Sequence, residues 1–140
     1  TKVGALFGEA VVITNDSLKK DFRYFIKQRG GMLAKGRLLG IQFETLFEDG
    51  LYDEISKHAI NLAMKIKDAF AAKKVSFLFD SYTNQQFPIL NQKQYAYLKD
   101  KYAFCFWSKV DEEHSAVRFC TSWATDEKAV DMLVQDIQCL

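Results

Sequence analysis

Gly30–Phe47, GGMLAKGRLLGIQFETLF, is the stretch on which the reading of this sequence turns. Paired glycines open it. Leu39, Phe43, Leu46 and Phe47 then recur at helical spacing, with small Ala34, Gly36 and Gly40 among them. A glycine inside a helix costs about 1 kcal/mol relative to alanine, so two of them ask for a compensating reason. Close approach of another backbone supplies one. The stretch therefore reads as a spine helix packed between two substructures or two subunits, with the preceding residues belonging to one side and the following residues to the other.

Upstream of the spine, Val3–Ile13 mixes small and β-branched residues without helical spacing and reads as two short strands joined around Gly8. Asn15, Asp16 and Ser17 offer N-cap chemistry to a basic helix over Leu18–Arg29, with Phe22, Phe25 and Ile26 on one face. Downstream, Glu48-Asp49-Gly50 ends the spine, because glycine suits the left-handed cap position. Leu51, Ile55, Ala59, Leu62, Ala63, Ile66 and Phe70 then trace a long amphipathic helix, the clearest periodic signal in the chain.

The remainder changes character. Val75–Phe79 reads as a buried strand, and Phe87–Leu90 as a second with Pro88 at an edge or bend. Asn91 is placed to cap a short helix over Gln92–Lys101. Tyr102–Trp107 and Ala116–Thr121 are strand-like runs on either side of a polar hairpin loop, Ser108–Ser115. Thr125 is the expected cap of a final helix, with Asp126 and Glu127 in the first turn, where the helix dipole favours acids, and with Val130, Leu133, Val134 and Ile137 facing inward. The expected class is α/β of the small α+β kind: long helices, then a small, mostly antiparallel sheet with helices on one face.

Composition bounds the function classes. The chain has 140 residues, 49% of them apolar and 12 of them phenylalanine, enough for a real core. A formal net charge of +1 gives no electrostatic case for nucleic acid or an anionic membrane. Three cysteines without paired spacing point to reduced thiols in the cytoplasm, and no run approaches the roughly 20 apolar residues of a membrane span. The chain starts at Thr1 rather than methionine, which suggests part of a longer protein.

Motifs for metal or nucleophilic chemistry are weak. His58 and His114 lack a cysteine or carboxylate constellation at ligand spacing and read as solvent-facing. Cys105 and Cys120, alternating with aromatics, read as small core residues. The paired glycines with Lys35 and Arg37 match no phosphate-loop spacing.

Taken in order, TKVGALFGEAVV (1–12), GGMLAKGRLLGIQFETLFEDGLY (30–52), SYTNQQFPIL (81–90) and AVRFCTSWAT (116–125) resemble the C-terminal part of a threonine aldolase, of the β-eliminating lyase group within the fold-type-I enzymes that use pyridoxal 5'-phosphate (PLP). The resemblance covers nearly the whole chain. It implies that residues 1–30 end a large cofactor-binding domain, residues 31–73 are connecting spine helices and residues 74–140 form the small C-terminal domain. It also implies a larger N-terminal domain upstream of Thr1, a homodimer or homotetramer, and an amino-acid substrate.

Residue by residue, the resemblance puts Lys2 where the family keeps the catalytic lysine that holds PLP as a Schiff base, a role needing an amine that can be neutral near working pH. It puts Arg118 where the family binds the substrate α-carboxylate, which a permanently charged guanidinium grips through both oxygens. Alternation along the strand agrees: Ala116, Arg118 and Cys120 share one face, opposite Val117, Phe119 and Thr121. Leu33 stands where relatives carry a basic residue for the cofactor phosphate, so Lys35 and Arg37 become the substitutes. Asn84, Gln85 and Gln86 are further candidates to line the cleft, or else form a polar turn.

The implied reaction cleaves threonine or allo-threonine, a β-hydroxy amino acid, to glycine and an aldehyde. Two alternatives stay open: a PLP-dependent β-eliminating lyase of the same fold, and a non-catalytic α+β interaction module whose glycine-bearing helix docks a partner.

Overall fold

The strongest periodic signal in the sequence becomes the longest helix. In the computed structural model, which describes residues 3–140, α3 spans Leu51–Ala72 and buries Ala59, Leu62, Ala63, Ile66, Ala69 and Phe70 on one stripe. The described residues fall into two units, divided between Tyr52 and Asp53. Lys2 lies outside the described residues.

The second unit holds the core. Its four strands are short: β1 (Gln85–Gln86), β2 (Ile89–Asn91), β3 (Cys105–Lys109) and β4 (His114–Cys120). All three of the others pair antiparallel with β4, in the registers Gln86↔Phe119, Ile89↔Ala116 and Cys105↔Arg118. The mixed helix-and-antiparallel-sheet class expected from the sequence is therefore the class observed. Val117 and Phe119 of β4 join Leu62, Ile66 and Phe70 of α3 in one cluster, together with Val130, Leu133 and Ile137 of α5 (Glu127–Gln138). Phe119 is the hinge of an aromatic series: its ring lies 5.6 Å from Phe70 and 4.9 Å from Phe104. Burying a side chain of this size stabilises by about 1.5–3 kcal/mol, so this cluster dominates the unit's stability.

Pro88 separates β1 from β2. It is fully buried, and its carbonyl accepts from Val117 N at 3.0 Å, so the strand that β1 and β2 would have formed is broken where proline cannot donate. Val75–Phe79, expected as a buried strand, contributes only an isolated bridge, Phe77↔Pro88, and leaves Leu78 and Phe79 exposed. α4 (Gln92–Lys99) starts with a full capping box: Asn91 Oδ1 accepts from Gln94 N, and Gln94 Oε1 accepts from Asn91 N. The cap of α5 is Asp126, whose carboxylate accepts from Lys128 N, and not Thr125. The Thr125 hydroxyl instead accepts from Ser122 N at 2.8 Å, closing the turn before the helix.

The first unit is built differently. Asn15 caps a 3-10 turn, Asp16–Leu18, and not a long helix. Asp21, at φ 56°, interrupts the chain before α1 (Phe22–Gln28). α2 is Arg37–Phe47, so the anticipated spine helix is 11 residues and Gly36 is its N-cap. It ends as expected, with left-handed Asp49 and Gly50 at φ 50° and 76°. Val3–Ile13 contains no strand. Two of its amides, Leu6 N and Phe7 N, donate to the side-chain oxygen of Gln42 on α2 at 2.7 and 3.3 Å, where strand pairing was anticipated.

Close approach to α2 exists, at a different glycine from those proposed. A Cβ on Gly36 or Gly40 would meet nothing within 4 Å, whereas one on Gly8 would lie 2.7 Å from Leu39 Cδ2, at φ +113°. No residue from Val3 to Tyr52 is buried, and Phe47 is 65% exposed.

Two outcomes follow for stability. Phe70→Ala should cost about 3–5 kcal/mol, read as a lowered urea midpoint, because α3 and β4 both close on that ring. Asp136 on α5 accepts from Lys101, Tyr102 and Tyr97, and these bonds, Lys101's the largest, hold its carboxyl at about 2 instead of 3.8. A depressed folded pKa contributes stability above the unfolded pKa and loses it as pH falls through the folded one. Asp136→Asn should therefore flatten the fall in stability between about pH 4 and pH 2 in acid titrations followed by circular dichroism.

Candidate functional site

β4 alternates. Val117 and Phe119 point into the core, and just beyond the strand Thr121 joins them, its hydroxyl donating to the carbonyl of Ala59 on α3 at 2.6 Å. Arg118 and Cys120 take the other face, and Arg118 is half-buried there. A guanidinium emerging from a central strand is held by its neighbours on that face, and these come from the two strands β1 and β3.

From β1, Gln85 stands opposite Cys120, and its Oε1 accepts from Arg118 Nη1 at 3.5 Å. From β3, Cys105 stands opposite Arg118, and its sulfur accepts from Nη2 at 3.8 Å. Also from β3, the indole of Trp107 lies beneath the guanidinium, 5.3 Å from its carbon to the ring centroid. The register slips between Phe106 and Ser108, which makes Trp107 the extra residue of a β-bulge. Trp107 in turn packs edge-on against Phe87 at 5.0 Å, and Phe87 against Phe79 at 4.4 Å.

The electrostatics of this face are one-sided. Arg118 has no carboxylate partner among the described residues, and its Nε is buried without a hydrogen bond. The bond to the Cys105 sulfur, then the charge effect of Cys120, raises its pKa above the usual arginine value, so it is a permanent cation. A fixed guanidinium with open edges and no internal counterion can bind a carboxylate through two parallel bonds.

The other sequence candidates separate around this centre. Of the polar trio, Gln85 alone meets Arg118. Asn84 Nδ2 donates to the carbonyl of Thr121 at 2.7 Å, and Gln86 is buried on the core side, with Nε2 donating to the carbonyl of Thr83 at 3.0 Å. Cys105 and Cys120 are exposed, contrary to the core role expected of them, because they share the open face with Arg118. His58 is half-buried, and its Nε2 donates to the carbonyl of Thr125 at 2.9 Å, so it ties α3 to the turn before α5 where a solvent-facing residue was expected. His114 Nδ1 donates to Asp111 at 3.0 Å. Among the described residues no three potential metal ligands cluster.

In the first unit, Lys35 lies in the turn before α2 and Arg37 is that helix's first residue; both are exposed, and neither has an ion pair among the described residues. Lys2 falls outside the described residues. An open hollow of about 250 Å³ lies between Val3, Phe7 and Gly8 on one side and Phe43, Leu46 and Tyr52 on the other. Sequence reasoning did not single out Trp107. Its strand position was legible; the bulge was not.

No protein-family profile matches the sequence. Low specificity L-threonine aldolases from a Pseudomonas species and from Pseudomonas aeruginosa are each 30% identical to it, over 100% and 99% of this chain but 40% and 39% of their own lengths. A solved structure of threonine aldolase from Leishmania major matches with a TM-score of 0.80 and 38% identity, covering 91% of this chain and 37% of that one. The chain thus spans about two fifths of the length of these relatives. By sequence over nearly all of its length, and by fold over 91% of it, the chain is similar to a portion of a threonine aldolase.

Proposed function

We propose that this chain is the C-terminal part of a PLP-dependent aldolase that cleaves threonine or allo-threonine to glycine and an aldehyde. The observation that carries the proposal is Arg118, a cation on the open face of β4 with no carboxylate partner among the described residues. Residues 1–30 are assigned to the end of the large domain, 31–73 to the connecting helices and 74–140 to the small domain. The large N-terminal domain supplies the rest of the site, and the 140 residues alone turn over no substrate. A cytoplasmic homodimer or homotetramer is the assigned setting, in keeping with three cysteines that lack paired spacing in the sequence.

The residues present fit one end of the cofactor. Phosphate needs cations and free amides, and exposed Lys35 and Arg37 stand at the start of α2, where helix amides are unsatisfied and favour an anion. Either residue takes the place of the base that Leu33 does not provide. When bound, PLP supplies an electron sink for the pair released as the Cα–Cβ bond breaks.

The chain's own residues do the rest that can be assigned here. Lys2 would be the residue that holds the cofactor, through its side-chain amine. Arg118 grips the α-carboxylate through both oxygens and so sets the rotation about the substrate's Cα. A substrate held at that end would present its Cα in one orientation, which selects the bond at Cα that is cleaved. Gln85 and the Cys105 sulfur steady the two terminal nitrogens without neutralising them.

Full-length protein carrying Arg118→Ala should retain bound cofactor and lose amino-acid affinity on the order of tenfold to a hundredfold, as expected when a charged pair is removed. Lys2→Ala should abolish borohydride fixation of the cofactor to the chain. Unchanged amino-acid binding in the arginine variant would sink the assignment of Arg118, and release of an elimination product without glycine would move the enzyme to the lyase alternative.

A further inference from the structure

We propose that Trp107 is a positioning residue for substrate binding: its indole, set by the β3 bulge, fixes the plane of the Arg118 guanidinium so that both terminal nitrogens face an incoming α-carboxylate. The inference rests on the carboxylate-binding role given to Arg118 above.

An arginine side chain has many rotamers, and holding it in one costs entropy that weakens binding unless the protein has already restricted it. Restriction is usually achieved by an ion pair. Arg118 has none among the described residues, and its edge contacts are at the long end of hydrogen bonding, 3.5 Å to Gln85 and 3.8 Å to the Cys105 sulfur. What remains is the ring face. A guanidinium stacked over indole keeps its N–H edges free, because the aromatic partner takes the face and not the donors. A carboxylate partner would restrict the arginine equally well and would compete with the substrate; an indole does not.

The indole is itself held in place. As the extra residue of the bulge, Trp107 stands opposite no residue of β4, and bulges are recurrent devices for re-aiming one side chain. Phe87, 5% exposed, meets the indole edge-on, and Phe79 packs on Phe87 from the far side. Phe87 is the buried ring of this series, and through Trp107 it restricts the group above the indole, Arg118. Trp107 remains 46% exposed, so the indole stays within reach of a ligand on this face.

The test compares Trp107→Leu, Trp107→Phe and Arg118→Ala in the full-length enzyme. Trp107→Leu keeps bulk and removes the π face; it should raise the KM for the amino acid roughly three- to thirtyfold, the range of a cation–π contact, with kcat within about twofold. Trp107→Phe, which keeps a face, should recover most of that loss. Melting temperature and cofactor absorbance should be unchanged in both. The inference is overturned if Trp107→Leu leaves KM unaltered while Arg118→Ala abolishes binding, or if both Trp107 variants lose kcat and melting temperature together without rescue by phenylalanine. Intact binding in Arg118→Ala would overturn the carboxylate role itself, a separate failure from that of Trp107.

Discussion

The constraint on which the rest depends is the alternation of β4. Every other strand pairs with it, so its two faces set what is inside and what is presented. Val117 and Phe119 close the core against α3 and α5, and Arg118 between them has to leave on the opposite side. A shift of one residue in register would bury the guanidinium and expose both apolar side chains, at a cost no surface contact could offset. The packing of Phe119 is therefore also what aims Arg118.

The two units relate differently to burial. Residues 53–140 own a cluster of eleven buried side chains, bound by aromatic contacts and by helix caps that satisfy the first amides of α4 and α5. Residues 3–52 bury none, and their order rests on local devices: the Gln42 oxygen accepting from two loop amides, the approach of Gly8 to Leu39, and the left-handed pair Asp49 and Gly50. Such devices fix a path for the chain without supplying much apolar stabilisation. This division accords with a chain that matches about two fifths of its relatives' length.

The face around Arg118 is economical. Its charge has no carboxylate partner among the described residues, its edges meet weak acceptors, and the Trp107 ring centroid lies 5.3 Å from its carbon. Such an arrangement leaves the cation able to form strong, charge-assisted bonds. The exposure of Cys105 and Cys120 follows from the same alternation, since both lie on the face that the core does not use.

What the residues alone determined was whatever depends on a local period or a cap. The stripe of α3, the left-handed stop at Gly50 after α2, the cap at Asn91, the hairpin of β3 and β4 and the outward face of Arg118 were all legible, because each is set within a few residues along the chain. Tertiary structure alone decided the others. Val75–Phe79 had the composition of a strand but found only one bridging partner, and Val3–Ile13 found a glutamine side chain instead of a strand. His58 met the carbonyl of Thr125, 67 positions away, and Trp107 met Arg118 through a bulge that no spacing announces. Pairing, burial and close contact between distant residues are properties of where the chain returns in space, and a one-dimensional pattern carries no record of that return.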